Sequence, residues 1–230
     1  AQTGTGKTGA FSLPILSQLP KPDGNSRVLI LEPTRELASQ VETAVRDYAR
    51  FTDHQVAVIY GGVGYGKQVD ALKSGVDIIV ATPGRLLDHM QQGNANLKGI
   101  THVVLDEADR MLDMGFMPQI RRVFLRMPDE RQNLLFSATL PKEVESLVED
   151  FLPGAERVQI GTRSQSASTI THRFAAVSVS DKPSALERLL FNETGKVLVF
   201  CNKKIGCEKL GNMLKRAGLP ADSIHGDKSA

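Results

Sequence analysis

The run Val103-Val104-Leu105-Asp106-Glu107-Ala108-Asp109 decides how this chain is read. Three apolar residues give way at once to three acids in four positions. A strand that is apolar on every residue is covered on both faces, the habit of a parallel sheet flanked by helices. In an open sheet of that kind ligands sit outside the carboxyl ends of the strands, and Asp106 lands there. Asp106 can hold Mg2+ through water, and Glu107 is placed to accept the proton of an attacking water. Acids also favour a helix N-terminus, and Asp109 partly fits that use.

Upstream, Thr3-Gly4-Thr5-Gly6-Lys7-Thr8 supplies the complementary charge. It is the core of a Walker A phosphate loop. Glycines let backbone N–H groups close around phosphate oxygens, Lys7 reaches the terminal phosphates, and Thr8 offers a hydroxyl to Mg2+. A helix starting here turns its positive end to the anion. The pairing asks for ATP with Mg2+, bound by Thr3, Gly4, Thr5, Gly6, Lys7 and Thr8, with Thr8 and Asp106 as metal ligands. The general pattern also wants glycine first, where Ala1 stands. Two competing readings fit less well. Gly4, Gly6 and Gly9 spell a dinucleotide-type G-x-G-x-x-G, but the nearest acid in range, Asp23, lies in a Pro/Gly/Asn loop. Gly61-Gly62-Val63-Gly64-Tyr65-Gly66-Lys67 also fits G-x-x-x-x-G-K, yet Gln68 follows, an amide where the metal needs a hydroxyl. That second run reads as a glycine loop after a strand.

Around these motifs, strand-like and helix-like segments alternate. Strand runs are expected at Val28–Leu31, Val56–Tyr60, Ile78–Ala81, Val103–Leu105, Leu134–Phe136, Val158–Ile160, Phe174–Val179, Val197–Phe200 and Ser223–His225. Helices are expected at Lys7–Gln18, Arg35–Phe51, Gly66–Ser74, Gly84–Gln92, Met117–Arg126, Lys142–Phe151, Lys182–Phe191 and Lys204–Ala217. The alternation predicts an α/β fold on a parallel sheet. Gly161–Thr171, polar and aperiodic, reads as a linker between a domain at 1–160 and a shorter piece at 172–230.

With 41% hydrophobic and 23% charged residues, the 230-residue chain can bury a globular core. No apolar run approaches the ~20 residues that span a bilayer. A net charge of 28 − 26 = +2 excludes a bulk polycationic field, so a nucleic-acid partner would be held by placed residues. Two cysteines, Cys201 and Cys207, exclude a disulfide-stapled miniprotein and fit a reducing compartment, expected to be the cytoplasm. They lack histidines at zinc spacing. Cys201 is expected to line the strand core, and Leu189, Leu190 and Phe191 to be core as well. Asn202-Lys203-Lys204-Ile205 lacks the final acid of a guanine-reading N-K-x-D.

Asp106-Glu107-Ala108-Asp109 spells D-E-A-D, and the chain resembles the DEAD-box ATP-dependent RNA helicases. Ala1–Thr8 matches motif I, where that family usually has alanine first. Pro33-Thr34-Arg35-Glu36-Leu37-Ala38 matches motif Ia, Gly61-Gly62 the glycine pair, Thr82-Pro83-Gly84-Arg85 motif Ib and Ser137-Ala138-Thr139 motif III. Val197–Lys204 resembles motif IV, so the similarity covers essentially the whole chain. Leu112-Asp113-Met114-Gly115-Phe116, Arg131-Gln132-Asn133 and Ile224-His225-Gly226 are most similar to the bacterial RhlE-type branch. The resemblance implies a RecA-like P-loop NTPase domain followed by the first part of a second RecA-like domain. It implies that Pro33, Thr34, Arg35, Gly62, Thr82, Pro83, Gly84 and Arg85 bind RNA, single-stranded or in short duplexes, without regard to sequence. Gripping phosphates and 2′-hydroxyls suits such a motor. It also implies that Lys7, Asp106, Glu107, Asp109, Ser137 and Thr139 carry hydrolysis, with Ser137 and Thr139 hydrogen-bonding toward Asp109. Thr-Pro-Gly-Arg is equally an ordinary strand-to-helix turn, and two small hydroxyl residues equally suit a loop.

Both ends read as cuts through a longer protein. On that reading the strand preceding the phosphate loop, an adenine-reading segment and the arginine-finger motifs V and VI lie outside the chain. The 230 residues alone are then expected to be inactive or unstable. The activity implied for the parent protein is RNA-stimulated ATP hydrolysis coupled to local unwinding of short RNA duplexes. The alternative is a catalytically incompetent fragment acting as an RNA-binding or regulatory module.

Overall fold

The computed structural model describes residues 6–159 and 170–228. The chain divides into two compact units, residues 1–165 and 166–230. In the first unit helices and strands alternate: α1 (Lys7–Gln18), β1 (Val28–Leu31), α2 (Arg35–Ala49), β2 (Val56–Ile59), α3 (Gly66–Lys73), β3 (Ile78–Ala81), α4 (Pro83–Gln91), β4 (His102–Leu105), α5 (Ala108–Asp113), α6 (Met117–Phe124), β5 (Gln132–Leu135) and α7 (Lys142–Phe151). The strands form one sheet in the order β2-β3-β1-β4-β5, and every pair is parallel. β1 is central. The chain leaves it toward β2 on one side and later crosses to β4 on the other, so the strand order reverses beside β1. Crevices outside the carboxyl ends of such strands are where α/β sheets bind ligands.

The period of two along each strand sorts the core into two layers. Leu29, Leu31, Ile79, Ala81, Val103 and Leu105 face one way and pack with Leu86 of α4, Met111 of α5, Ile120 and Phe124 of α6 and Leu147 of α7. Val28, Ile30, Ile78, Val80 and Val104 face the other way and meet Phe11 and Ile15 of α1 and Ala38, Val41 and Val45 of α2. The spacing of those helical residues is the 3–4 periodicity of a single buried stripe. Each strand is only four residues long. The sheet therefore places the carboxyl ends of β1, β2, β3 and β4 within one residue of the buried apolar anchors Leu31, Ile59, Ala81 and Leu105.

A buried ion pair fastens the opposite edge. Arg27 Nη2 donates to Asp77 Oδ1, and both residues are buried. Arg27 Nη1 also donates to the carbonyls of Pro20 and Lys21, and Asp77 Oδ2 accepts from the Gln55 amide at 2.9 Å. One pair thus ties together the amino ends of β1, β2 and β3 and the loop after α1.

The helices depart from the sequence expectation by a residue or two at their ends, as fraying allows. α5 was not expected: six residues are too few for a helical period to show. In the second unit, α8 (Lys182–Phe191) and α9 (Lys204–Arg216) form. The runs at Phe174–Val179, Val197–Phe200 and Ser223–His225 do not form strands. A strand exists only as a pairing, and among the described residues these runs have no paired neighbour. Phe174 is 96%, Leu198 73% and Phe200 88% exposed. For the same reason Cys201 does not line a core but is exposed, and Leu189 and Phe191 lie more than half exposed. Of the run at 158–160, Val158 is exposed and in no strand, and Ile160 lies outside the described residues with most of the expected linker.

Asp77→Ala leaves the Arg27 guanidinium buried without its counter-charge. It is expected to destabilise the first unit by about 3–5 kcal/mol in urea unfolding followed by circular dichroism. A loss below about 1 kcal/mol would show that the pair does not hold the sheet's amino edge.

Candidate active site

Gly6 enters α1 in the left-handed conformation, φ 80° and ψ 17°, leaving the first amides of the helix open at its N-terminus. Lys7 and the half-buried Thr8 occupy the first turn. Thr3, Gly4 and Thr5 lie outside the described residues. Lys7 Nζ donates to Glu107 Oε1 at 2.7 Å and stands 3.3 Å from Asp106 Oδ1. The first turn of the chain and the end of β4 therefore meet, as their sequence signatures require. Glu107 is the one non-glycine residue with positive φ among those described, at 52°. That conformation costs on the order of 1 kcal/mol. Two bonds hold it: the Glu107 amide donates to Asp106 Oδ1 at 2.9 Å, and the Ala108 amide donates to the Phe136 carbonyl at 3.0 Å.

Charge at this point is unbalanced. Besides Asp106 and Glu107, the carboxyl of Glu32 lies within electrostatic reach of Lys7. Glu32 follows β1, is fully buried, and neither of its oxygens has a hydrogen-bond partner. Burial first, and then repulsion from Asp106 and Glu107, push its pKa up to about 9, so the group is neutral at pH 7. Burial also holds Asp106 above the ordinary carboxylate range, against the pull of Lys7. For Lys7, burial acts to weaken the ammonium, and the contacts with Glu107 and Asp106 outweigh it, so its pKa is raised. One cation serves two carboxylates, and the third acid keeps its proton. Glu32 escaped the sequence reading, which took the motif to start at Pro33. The signal was there: an acid in line with an otherwise apolar strand run, Val28-Leu29-Ile30-Leu31-Glu32.

Asp109 belongs to a separate latch. Its Oδ2 accepts from both the amide and the hydroxyl of Thr139, each at 2.8 Å. The Asp109 amide donates to Ser137 Oγ at 3.2 Å, and Ser137 Oγ donates to the Thr139 carbonyl at 2.6 Å. Burial raises the Asp109 pKa, but the Thr139 hydroxyl and amide more than offset it and leave it below the ordinary range. The latch ties the first turn of α5 to the segment leaving β5.

The residues expected to meet RNA line the other half of the same edge. Pro33 and Thr34 follow β1, Thr82, Pro83, Gly84 and Arg85 follow β3, and Gly61 and Gly62 follow β2. Thr34 caps α2, its Oγ1 accepting from the Leu37 amide at 3.3 Å, and the exposed Arg35 pairs with Glu36. Thr82 precedes α4 without a side-chain cap bond, and Pro83 takes the first helical position, where its missing N–H costs nothing. Gly62 has φ 81°, and a Cβ there would come within 3.6 Å of an Arg35 nitrogen. Gln68 is no metal ligand. Its buried amide donates to the carbonyls of Tyr60 and Gly64 and staples the glycine loop. The carboxyl edge thus splits into an acid-and-lysine half over β1-β4-β5 and a half of glycines, hydroxyls and arginines over β2-β3-β1.

A family model described as DEAD/DEAH box helicase matches residues 1–147. The chain belongs to the DEAD/DEAH box helicase family. It is 43% identical over 238 residues to the DEAD-box ATP-dependent RNA helicase 20 of Arabidopsis thaliana, covering 100% of this chain and 47% of that protein. It is 42% identical over 238 residues to the ATP-dependent RNA helicase DBP2 of Scheffersomyces stipitis, covering 99% of this chain and 45% of that one. The chain thus spans about half the length of these curated relatives. The crystal structure of a DEAD box protein from Methanococcus jannaschii superposes over 100% of this chain and 61% of that one, with a TM-score of 0.66 and 36% identity. The α/β sheet described above is that of the family's RecA-like domains.

The described residues contain no cluster of three or more His, Cys, Asp or Glu arranged to hold a metal by themselves. The donor set at hand is a threonine hydroxyl and one carboxylate. It fits Mg2+, which keeps several waters and is usually held by one or two carboxylates together with substrate phosphates.

The proton on Glu32 sets a pH dependence. Between about pH 5 and pH 9 the folded chain retains this proton while the unfolded chain has released it, so stability falls as pH rises through that window. Glu32→Gln has no such proton to lose. Its unfolding free energy from urea titration, relative to wild type, is expected to be least favourable near pH 5 and to improve steadily toward pH 9, by several kcal/mol at most. A difference that stays constant over this range would mean that Glu32 is ionised in the folded chain.

Proposed function

We propose that this chain carries the ATP-hydrolysing core and part of the RNA grip of an ATP-dependent RNA helicase. Its hydrolysis is RNA-stimulated and drives local unwinding of short duplexes. The observation that carries the reading is the convergence of Lys7 on Asp106 and Glu107 at the carboxyl edge of the sheet. The names of the relatives, ATP-dependent RNA helicases, support it.

Bound Mg2+–ATP supplies the phosphoanhydride bond to be cleaved and the cation that draws charge from its oxygens. The chain's residues do the rest. Lys7 exchanges a carboxylate partner for phosphate oxygens, and the open amides at the start of α1 complete the cradle. Thr8 and Asp106 would hold the metal. Glu107, released from Lys7, accepts the proton of the attacking water. Asp109, Ser137 and Thr139 keep the turn after β4 in register with the segment after β5, so that a shift in one is felt in the other. On the far half of the edge, Thr34, Arg35, Gly62, Thr82, Gly84 and Arg85 bind the RNA backbone through hydroxyls, amides and fixed charge, with Pro33 and Pro83 shaping the turns. Contacts of that kind carry no base information, so binding is independent of sequence.

Residues 161–171 are taken as the linker and 172–230 as the start of a second RecA-like domain. The RhlE-type placement rests on Leu112–Phe116, Arg131–Asn133 and Ile224–Gly226. A reducing, cytoplasmic setting rests on the free Cys201 and Cys207.

Binding of a fluorescent N-methylanthraniloyl ATP in the presence of Mg2+ tests the assignment. Lys7→Ala is expected to weaken it about 10- to 100-fold, the scale of a lost charge-assisted bond. Glu107→Gln is expected to keep nucleotide binding and, in the complete protein, to abolish RNA-stimulated phosphate release. Normal turnover by Glu107→Gln would place the base elsewhere, and normal binding by Lys7→Ala would remove the nucleotide from this edge.

A further inference from the structure

The glycine loop after β2 is not loose. Arg85 of α4 reaches across to it, with its Cζ 4.1 Å from the centroid of the Tyr65 ring and its Nη1 donating to the Val63 carbonyl at 3.0 Å. Tyr65 in turn donates its hydroxyl to Asp88 Oδ2 at 3.2 Å, one turn along α4. His89, fully buried, packs against the ring, its centroid 5.1 Å from that of Tyr65 and tilted by 59°. Neither ring nitrogen of His89 has a partner, and burial keeps its pKa low, so this neighbour adds no second cation beside Arg85. From the other side Gln68 ties the loop to the end of β2 through the carbonyls of Tyr60 and Gly64.

We propose that Tyr65 is a positioning residue for RNA binding: its ring holds the Arg85 guanidinium on the rim, so that the glycine loop and α4 meet the RNA backbone as one preformed surface. The inference rests on the RNA-gripping reading of this half of the edge. Two roles for an exposed aromatic beside an RNA site compete, and the geometry separates them. A base-stacking platform needs a free ring face. Here Arg85 lies over the ring and His89 packs against it, which leaves Tyr65 as a support. The gain is one of preorganisation. A free arginine loses much of its rotamer freedom when it engages a phosphate, and stacking on Tyr65 takes most of that loss before RNA arrives. The planar guanidinium keeps N–H donors for phosphate while its face is on the ring, which an ammonium could not do.

Fluorescence anisotropy with a labelled ten-nucleotide single-stranded oligouridine and the 230-residue chain tests this, with circular dichroism melting as a check on folding. Tyr65→Ala is expected to weaken RNA binding about two- to fivefold, the scale of an exposed cation–π contact. Tyr65→Phe, which keeps the ring, is expected to restore it. Tyr65→Ala added to Arg85→Ala is expected to weaken binding no further than Arg85→Ala alone. In nitrogen-15 NMR spectra the Arg85 Nε–Hε resonance is expected to show an upfield ring shift that Tyr65→Phe retains and Tyr65→Ala loses. Unchanged affinity in Tyr65→Ala, an equal loss with and without Arg85, or a Tyr65→Phe variant as weak as Tyr65→Ala would each overturn the proposal. If Arg85→Ala itself binds RNA like wild type, the RNA-gripping reading falls and takes the inference with it. If Arg85→Ala is weak but Tyr65→Ala is not, only the inference falls.

Discussion

A single ammonium, that of Lys7, faces the carboxylates of Asp106 and Glu107 at the edge of a buried sheet, with a third carboxyl close behind. Nearly everything else in the first unit either brings these groups together or balances them. The charges sit where water is scarce, so each must find a partner or give up its charge. Lys7 stays charged because its two partners outweigh its burial, and burial together with repulsion from Asp106 and Glu107 keeps Glu32 neutral. The arrangement is poised for exchange. A polyanion that took Lys7 from the acids would leave Asp106 and Glu107 without their counter-charge unless a divalent cation came with it.

The sheet makes that poise possible by being short and apolar. The four-residue strands β1 and β3, buried on both faces, and β4, buried from Val103 to Leu105, leave no slack between core and edge. Leu105 is fully buried, and the next residue is Asp106, the acid that meets Lys7. The Asp106 amide donates to the Leu31 carbonyl, and the Glu32 amide to that of Ala81, so β3, β1 and β4 present their edge residues in a fixed lateral order. At the other end the Arg27–Asp77 pair spans the amino ends of β1, β2 and β3. The two edges thus use ionic groups differently: one pair is locked among backbone bonds, and the other is left open to be traded.

Much of this was legible in the sequence, and the limits have physical causes. Val103–Asp109 and Thr3–Thr8 could be paired across ninety-nine residues because each motif carries its own chemistry, and the structure joins the described part of the first, Lys7, to the second. Strands and helices of the first unit were readable because apolar runs and 3–4 spacing persist over enough residues to show a period. α5 was missed because it is shorter than two turns. The apolar runs at Phe174, Val197 and Ser223 look like strands in composition, but pairing is a property of neighbours, and composition cannot supply them. Glu32 and Tyr65 were passed over for another reason. Glu32 lies one residue before a motif and Tyr65 three residues after the glycine pair, and each acts through the state or position of another group: the charge of the acid pair in one case, the Arg85 guanidinium in the other.

A family likeness places the two halves of the carboxyl edge in one kind of machine, but the physical claim is local: Lys7 belongs to the nucleotide when the nucleotide is there. A crystal structure of this chain with Mg2+ and a non-hydrolysable ATP analogue tests it most directly. The account predicts Lys7 Nζ on phosphate oxygens, the metal on Thr8 and Asp106 with its waters, and Glu107 turned away from Lys7 toward the terminal phosphate. A nucleotide bound elsewhere, or a Lys7 still paired with Glu107 beside a bound triphosphate, would contradict it.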